Sequence, residues 1–257
     1  MQRYINLGEK YVYLPENIIP NLMKLGIISA MTVEHEQMCR LLSHATTFTA
    51  AHYTFTQGRI GPHEVPLMQC GIGKVNAAVG ATHLIAHAQP DAIISTGCAG
   101  GIDTRLGVMD VVASSALVYH DVWCGEGNAY GQVQGLPEQF AADARLLAAA
   151  RSLAKHPEVS TPIHCGLICT GDKFITDRAQ LNHIKSEFPE GLAVDMESAA
   201  IAHTCHLHNV PFLSFRIISD TPGVEAHWEQ YQDFWGEMAH RSFGVTHTFL
   251  AQLPEQL

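Results

Sequence analysis

No stretch of this sequence is apolar for long enough to cross a bilayer as a helix. The seven cysteines are scattered without a CxxC pair, and their odd number speaks for reduced thiols rather than a disulfide framework. Charges lie within the first ten residues and no long apolar run follows them, so no signal peptide is expected and the cytoplasm is the expected location. Basic residues are few, 15 Lys and Arg against 25 Asp and Glu, giving a formal charge of −10 with no basic cluster. That balance argues against nucleic-acid binding, although a small site for a nucleoside or base needs no positive field. The pattern also lacks the basic amphipathic face of a membrane-surface segment. Repeats and low-complexity segments are absent, as are the GxxxxGK(S/T) phosphate loop, a dinucleotide fingerprint with its third glycine, and the HExxH zinc motif.

What the chain has is the composition of one compact domain: 257 residues, 47% hydrophobic and 16% charged. Residues 191–220, GLAVDMESAAIAHTCHLHNVPFLSFRIISD, organise the rest. Residues 192–194 read as a short strand. A helical run opens at Asp195 or Met196 and continues to about His208, where Asn209 and Pro211 end it. Residues 212–218 are almost continuously apolar, as expected of a strand buried on both faces. Glu197 then lies in the first helical turn, where unpaired N–H groups favour an anion. Asp220 closes the strand, at the end where open α/β sheets bind ligands. Spacing alone leaves each acid two readings. Glu197 is a site carboxylate or a helix-start acid; Asp220 is a site carboxylate or a turn former with Thr221-Pro222-Gly223.

Residues 1–20 read as an N-terminal extension and 21–257 as a single domain. Residues 25–29 form the first core strand, and a helix follows from Thr32, its expected N-cap, to Leu42. Glu34 lies in the first turn of that helix, again just after a strand. Strands are expected over 52–57 and 64–70, around a turn at Gly58, Gly61 and Pro62. Gly71 and Gly73 permit a tight turn into a small-residue helix over 75–87. Strand 92–96 runs into Gly97-Cys98-Ala99-Gly100-Gly101, expected to turn sharply, with or without N–H groups presented to an oxygen-rich ligand. Cys98 reads as a small packed residue, since nothing beside it activates a thiolate. A β-prone run covers 110–119. The polar, glycine-rich tract 121–135, with Trp123 and Tyr130, suits a substrate wall or a subunit contact. Helices are expected over 140–154, 180–188 and 228–250, and a strand over 164–170. Phe174, beside a polar turn, either stacks on a flat ring or plugs the core; Tyr231 either packs or lines a pocket mouth. His203 and His206 share a helical face that His208 does not, so no metal site is expected. The sum is an α/β fold, three αβα layers around a central mixed β-sheet.

An ordered set of motifs carries a resemblance: GIISAMTVEHE (26–36), GIGKVNAA (71–78), STGCAGGI (95–102), YHD (119–121), GLICTGDKFI (166–175), VDMESAAIAH (194–203), NVPF (209–212) and RIISD (216–220). Over about residues 25–250 the chain resembles the bacterial 5′-methylthioadenosine/S-adenosylhomocysteine (MTA/SAH) nucleosidases, within the nucleoside phosphorylase superfamily. The resemblance implies that superfamily's fold and hydrolysis of an N-glycosidic bond, releasing adenine and a 5′-thio-substituted ribose without cofactor or metal. It implies Asp220 as the general acid that protonates N7 of adenine, held in place by Ser219. Glu34 becomes the carboxylate that orients and deprotonates water. Glu197 would bind the ribose 2′ and 3′ hydroxyls, with Met196 packed against the sugar. Phe174 would stack on adenine, the Ile175 backbone would read its edge, and Tyr231 would hold the 5′ substituent. A homodimer is implied, each pocket completed by its neighbour, with 122–135 the candidate tract. General-acid cleavage asks Asp220 to hold a proton, which an apolar pocket favours.

The chain also departs from the family pattern. Cys98 stands where serine is common, a weaker donor toward the water or ribose side. Thr32-Val33 replace two acids before Glu34, and Asp195 replaces a glutamate. The alternatives for the same site are another adenosine derivative, 6-amino-6-deoxyfutalosine or 5′-deoxyadenosine, and a phosphate-dependent phosphorylase. Against the last, no arginine stands in the strand entering Gly97, and Arg105 reads as a surface residue. Retention of Glu34 and Asp220 speaks against a catalytically dead nucleoside binder.

Overall fold

The computed structural model describes residues 4–6, 11–13, 23–222, 227–235 and 239–256. Strands β1 (Tyr4–Asn6) and β2 (Tyr11–Tyr13) pair antiparallel as a sheet of their own. The rest of the expected 1–20 extension lies outside the described residues. A second sheet holds β3 (Leu25–Ser29), β4 (Ser43–Ala50), β5 (Tyr53–Ile60), β6 (His63–Gln69), β7 (Ala92–Gly101), β8 (Val111–Tyr119), β9 (Phe140–Ala141), β10 (Ile163–Thr170), β11 (Gly191–Asp195) and β12 (Phe212–Asp220). Between them run helices α1 (Thr32–Arg40), α2 (Lys74–Ala88), α3 (Ala144–Leu153), α4 (Arg178–Glu187) and α5 (Ser198–His208), with α6 (His227–Asp233) and α7 (Ala239–Ala251) last. The strand order is β11-β10-β8-β12-β7-β3-β6-β5-β4, with β9 beside β8. The sheet is mixed, as expected: β3 is parallel to both β6 and β7, whereas β4, β5 and β6 are antiparallel.

Side-chain alternation sends the two sheet faces into separate cores. On one face Ile28, Ile93 and Ile218 pack with Ala77, Ala81 and Leu84 of α2 and Ala199, Ile201 and Cys205 of α5. On the other, Leu25, Ile27, Leu213 and Phe215 pack with Met38 of α1, Leu146 and Leu153 of α3, and Phe243 and Phe249 of α7. These are the outer layers of the αβα arrangement. Each fully buried aliphatic or aromatic side chain contributes about 1.5–3 kcal/mol of transfer free energy. Under α4, Leu181, Ile184 and Phe188 close a third cluster with Val118, Leu167 and Val194.

The sheet also bends back on itself. Ala193 and Val194 of β11 pair antiparallel with Gly101 and Gly100 of β7, so β11, β10, β8, β12 and β7 form a ring. Glycine allows this approach: a Cβ on Gly100 would lie 2.7 Å from Pro222 Cγ and 3.3 Å from Val194 Cγ2. Residues 97–101 therefore continue strand β7, which corrects the sharp turn expected there.

Other boundaries differ for local reasons. Strand β4, unmarked in the sequence, is exposed along almost its whole length, so no apolar alternation announces it. The helix expected from residue 140 begins at Ala144, where Asp143 accepts the N–H groups of Arg145 and Leu146, while residues 140–141 pair with β8. Of the helix expected over 228–250, α6 and α7 are described, and residues 236–238 between them lie outside the described residues. Met31, not Thr32, is the N-cap of α1, and Glu197 is the N-cap of α5 rather than a first-turn residue. No helix among the described residues is long and apolar enough to cross a membrane, and the seven cysteines are free thiols.

Candidate active site

A cleft opens where β3, β7, β11 and β12 end, the side on which α/β sheets bind small molecules. Its enclosed volume is about 110 Å³, and its mouth opens to solvent.

Glu34 lies in this cleft, 1% exposed. Its Oε2 accepts the N–H groups of Ala30 (3.0 Å) and Met31 (2.9 Å), and its Oε1 accepts the N–H of Cys98 (2.9 Å). The bond to Met31 also satisfies a donor that the helix start leaves open. Thus a backbone N–H of the glycine-rich segment meets an oxygen, as expected, but the oxygen belongs to the chain's own carboxylate. Gly97 makes room for this: an ideal Cβ there would lie 2.4 Å from Glu34 Oε1 and 2.7 Å from Arg216 Nη1.

Arg216 is the residue that sequence reasoning overlooked. It stands in β12, 1% exposed. Its Nε lies 3.0 Å from Asp195 Oδ2 and donates to Ser198 Oγ at 3.0 Å; Nη2 donates to Ser95 Oγ at 3.1 Å and lies 3.6 Å from Glu197 Oε2. Burial works against the guanidinium charge, but Asp195, Glu197 and Glu34 outweigh it and hold its pKa above the ordinary value. The signal was in the sequence: a lone arginine inside a strand buried on both faces must find carboxylates.

Glu197 faces Arg216 with Oε2 and accepts the Gly73 N–H with Oε1 at 2.9 Å. Burial pushes its pKa up to about 7; Arg216 and the Gly73 N–H oppose that, and Asp195 adds to it. Asp195 is fixed in turn by Thr170 Oγ1, which donates at 2.6 Å while accepting the Ala199 N–H at 2.9 Å. The start of α5 is thereby tied to the ends of β10 and β11.

Asp220, 1% exposed, accepts from Ser219 Oγ at 2.6 Å. Cys98, Met196 and Ser219 line the cleft with it. Burial, with Glu34 adding, pushes the Cys98 thiol well up, so it stays protonated, in keeping with a packed residue. Phe174 is 44% exposed and lines the cleft, so it is not a core plug. Its ring lies 5.5 Å from that of Tyr231 and 6.3 Å from that of Trp228; Tyr231 Oη donates to Met31 Sδ at 3.6 Å, and the Tyr231 ring stacks with Trp228 at 5.6 Å. Thr221 N–H donates to Gln230 Oε1 at 2.9 Å, which ties α6 to the end of β12. Ile175 differs from the other expected site residues: its side chain is 4% exposed and packs with the cluster under α4 rather than lining the cleft. His203 is a packed residue, Nδ1 3.1 Å from Tyr119 Oη and its ring stacked on Phe140.

Residues 24–251 match the family model described as the phosphorylase superfamily. A 5′-methylthioadenosine/S-adenosylhomocysteine nucleosidase of Anoxybacillus flavithermus is 42% identical over 212 residues, 81% of this chain and 91% of the relative. Another, of Chromohalobacter salexigens, is 44% identical over 206 residues, 80% of this chain and 87% of the relative. Among solved structures, the MTA/SAH nucleosidase of Colwellia psychrerythraea in complex with adenine superposes with a TM-score of 0.86 at 36% identity, covering 92% of this chain and 98% of that one. The corresponding enzyme of S. pneumoniae with a transition-state inhibitor gives 0.84 at 38% identity, covering 90% and 100%.

Proposed function

The chain belongs to the phosphorylase superfamily and, within it, to the MTA/SAH nucleosidases, and from that premise we propose that it hydrolyses the N-glycosidic bond of 5′-methylthioadenosine and S-adenosylhomocysteine. The products are adenine and the 5′-thio-substituted ribose. The observation that carries the reading is the convergence of Glu34, Glu197 and Asp220 on one cleft.

Cleaving this bond builds positive charge on the ribosyl ring and negative charge on the base. In our reading Asp220 gives a proton to N7 of the leaving adenine, steadied by Ser219, and Glu34 orients and deprotonates the attacking water. Glu197 accepts the ribose hydroxyls, Met196 packs against the sugar, Phe174 stacks on the base beside the Ile175 backbone, and Tyr231 meets the 5′ substituent. Water suits this cleft better than phosphate does. Asp195, Glu197 and Glu34 already surround the Arg216 guanidinium, so the local field disfavours a further anion.

The same reading makes residues 21–257 one catalytic domain that works as a homodimer in the cytoplasm, where free thiols stay reduced. Ile72, Val75 and Val79, 52%, 74% and 44% exposed, form an apolar strip leading from the cleft along α2, and Ile72 also lines the cleft. A neighbour covering that strip and the exposed Trp123 would complete the site.

Adenine release from 5′-methylthioadenosine, followed without and with phosphate and with the sugar product identified, tests the reaction. Free methylthioribose without phosphate is expected; a requirement for phosphate, with a sugar 1-phosphate as product, would move the protein to the phosphorylases. Light scattering in the same buffer tests the dimer, and a fully active monomer would remove it.

A further inference from the structure

The YHD motif, Tyr119-His120-Asp121, begins at the last residue of β8, and none of the three lines the cleft. It sits where two cleft loops meet. Asp121 Oδ1 and Oδ2 accept from Lys74 Nζ at 2.8 and 2.9 Å, and Oδ2 also accepts the Asp172 N–H at 2.8 Å. Asp172 closes the triangle: its Oδ1 accepts the Lys74 N–H at 2.8 Å, and its Oδ2 lies 3.8 Å from Lys74 Nζ. The packing beneath is equally specific. A Cβ on Gly171 would meet His120 Cε1 at 2.4 Å and Asp121 Cγ at 2.9 Å. The His120 N–H donates to Thr170 O at 2.9 Å, and Lys74 Nζ lies 5.4 Å from the centre of the Tyr119 ring.

Both loops carry cleft residues right beside this triangle. Gly73, next to Lys74, donates to Glu197 Oε1. Phe174 follows Asp172 by two residues and lines the cleft. We propose that Asp121 is a positioning residue: through Lys74 and Asp172 it sets the Gly73 N–H against Glu197 and the Phe174 ring at the cleft wall. This inference rests on the nucleosidase reading of the site. Its chemistry requires a carboxylate. Asp121 accepts three hydrogen bonds with two oxygens, whereas the asparagine amide has one accepting oxygen and turns donors toward Lys74 or the Asp172 N–H. The side chains of Lys74 and Asp121 are 22% and 26% exposed, so water still reaches and partly screens the pair, and its expected effect is on loop position more than on the fold as a whole.

The test compares wild type with Asp121→Asn and Lys74→Gln, in turnover of 5′-methylthioadenosine and in calorimetric binding of adenine. In both variants we expect KM and the adenine Kd to rise roughly fivefold to tenfold, with kcat reduced less than about threefold. The melting temperature should move by no more than about 2 °C. The double variant should lose no more than Asp121→Asn alone, because both changes break one unit. A lower melting temperature with KM and adenine affinity unchanged would overturn the proposal, leaving the triangle a stabilising contact only. If Asp121→Asn does not fold, Lys74→Gln decides by the same two readouts. A wild-type protein that neither cleaves 5′-methylthioadenosine nor binds adenine would be a different failure, that of the site reading beneath.

Discussion

Glu197 is buried beside a guanidinium and further carboxylates, and this makes its proton a folding variable. Its pKa in the fold is about 7, against an ordinary 4.5. Between those values the native protein holds a proton that the unfolded chain has released. The stabilisation is therefore full below the ordinary value and is lost as pH rises through the folded one. Denaturant titrations of ligand-free protein between pH 5 and 7.5 read this directly. Glu197→Gln, uncharged throughout, should flatten the decline seen in wild type; parallel curves would mean that Arg216 keeps the carboxylate ionised across the range. Asp220→Asn keeps the size of the side chain but has no proton to give N7. Its kcat should fall roughly 10²–10⁴-fold, with the fold kept and adenine still bound; near-normal turnover would remove Asp220 from the acid role. The acids were legible because each stands where a strand ends. Arg216 was not. Inside FLSFRIISD one charge among apolar neighbours looks like an interruption, and its partners Asp195 and Glu197 belong to a different strand–helix junction.

Strand β7 shows what an element does beyond holding a sheet together. Its residues 97–100 pair with β12, and 100–101 pair with β11, while the Cys98 N–H holds Glu34. Gly97→Ala would set a methyl group where Glu34 Oε1 and Arg216 Nη1 now lie. We expect kcat to drop at least about tenfold, and stability to fall by about 1–3 kcal/mol, the range for overpacking a closely filled site. Circular dichroism melts and initial rates check both, and an alanine variant with wild-type rates would show that Glu34 needs no such space. Most elements were readable from apolar periodicity and from punctuation at Gly71, Gly73, Asn209 and Pro211. β7 was cut short because glycine normally marks a turn, whereas here the missing side chains let strands and carboxylates come close. β4 was missed for the opposite reason, having no buried face to impose a pattern.

At the scale of the molecule, the cleft joins parts that are distant along the chain, so occupancy of the cleft should stabilise the fold as a whole. Adenine at one hundred times its Kd adds about 2.7 kcal/mol. For a chain of this size that should raise the melting temperature by roughly 5–10 °C. A thermal shift series with adenine reads it, and no shift at millimolar adenine would argue against a base site. The αβα layers were legible from strand–helix alternation, but the ring was not. The β11–β7 pairing joins Ala193 and Val194 to Gly101 and Gly100 across several intervening elements, and local sequence carries no mark of such a contact. The arrangement also has a consequence in time. Glu34 follows the first strand of the ring's sheet to be synthesised, whereas Glu197 comes after β11 and Asp220 closes β12, among the last. At cellular translation speeds roughly ten to forty seconds separate the making of Glu34 from that of Asp220. On the proposed roles, a ribosome-bound chain carries its water-side carboxylate long before its acid, and turnover is expected only once the final strand has joined the sheet.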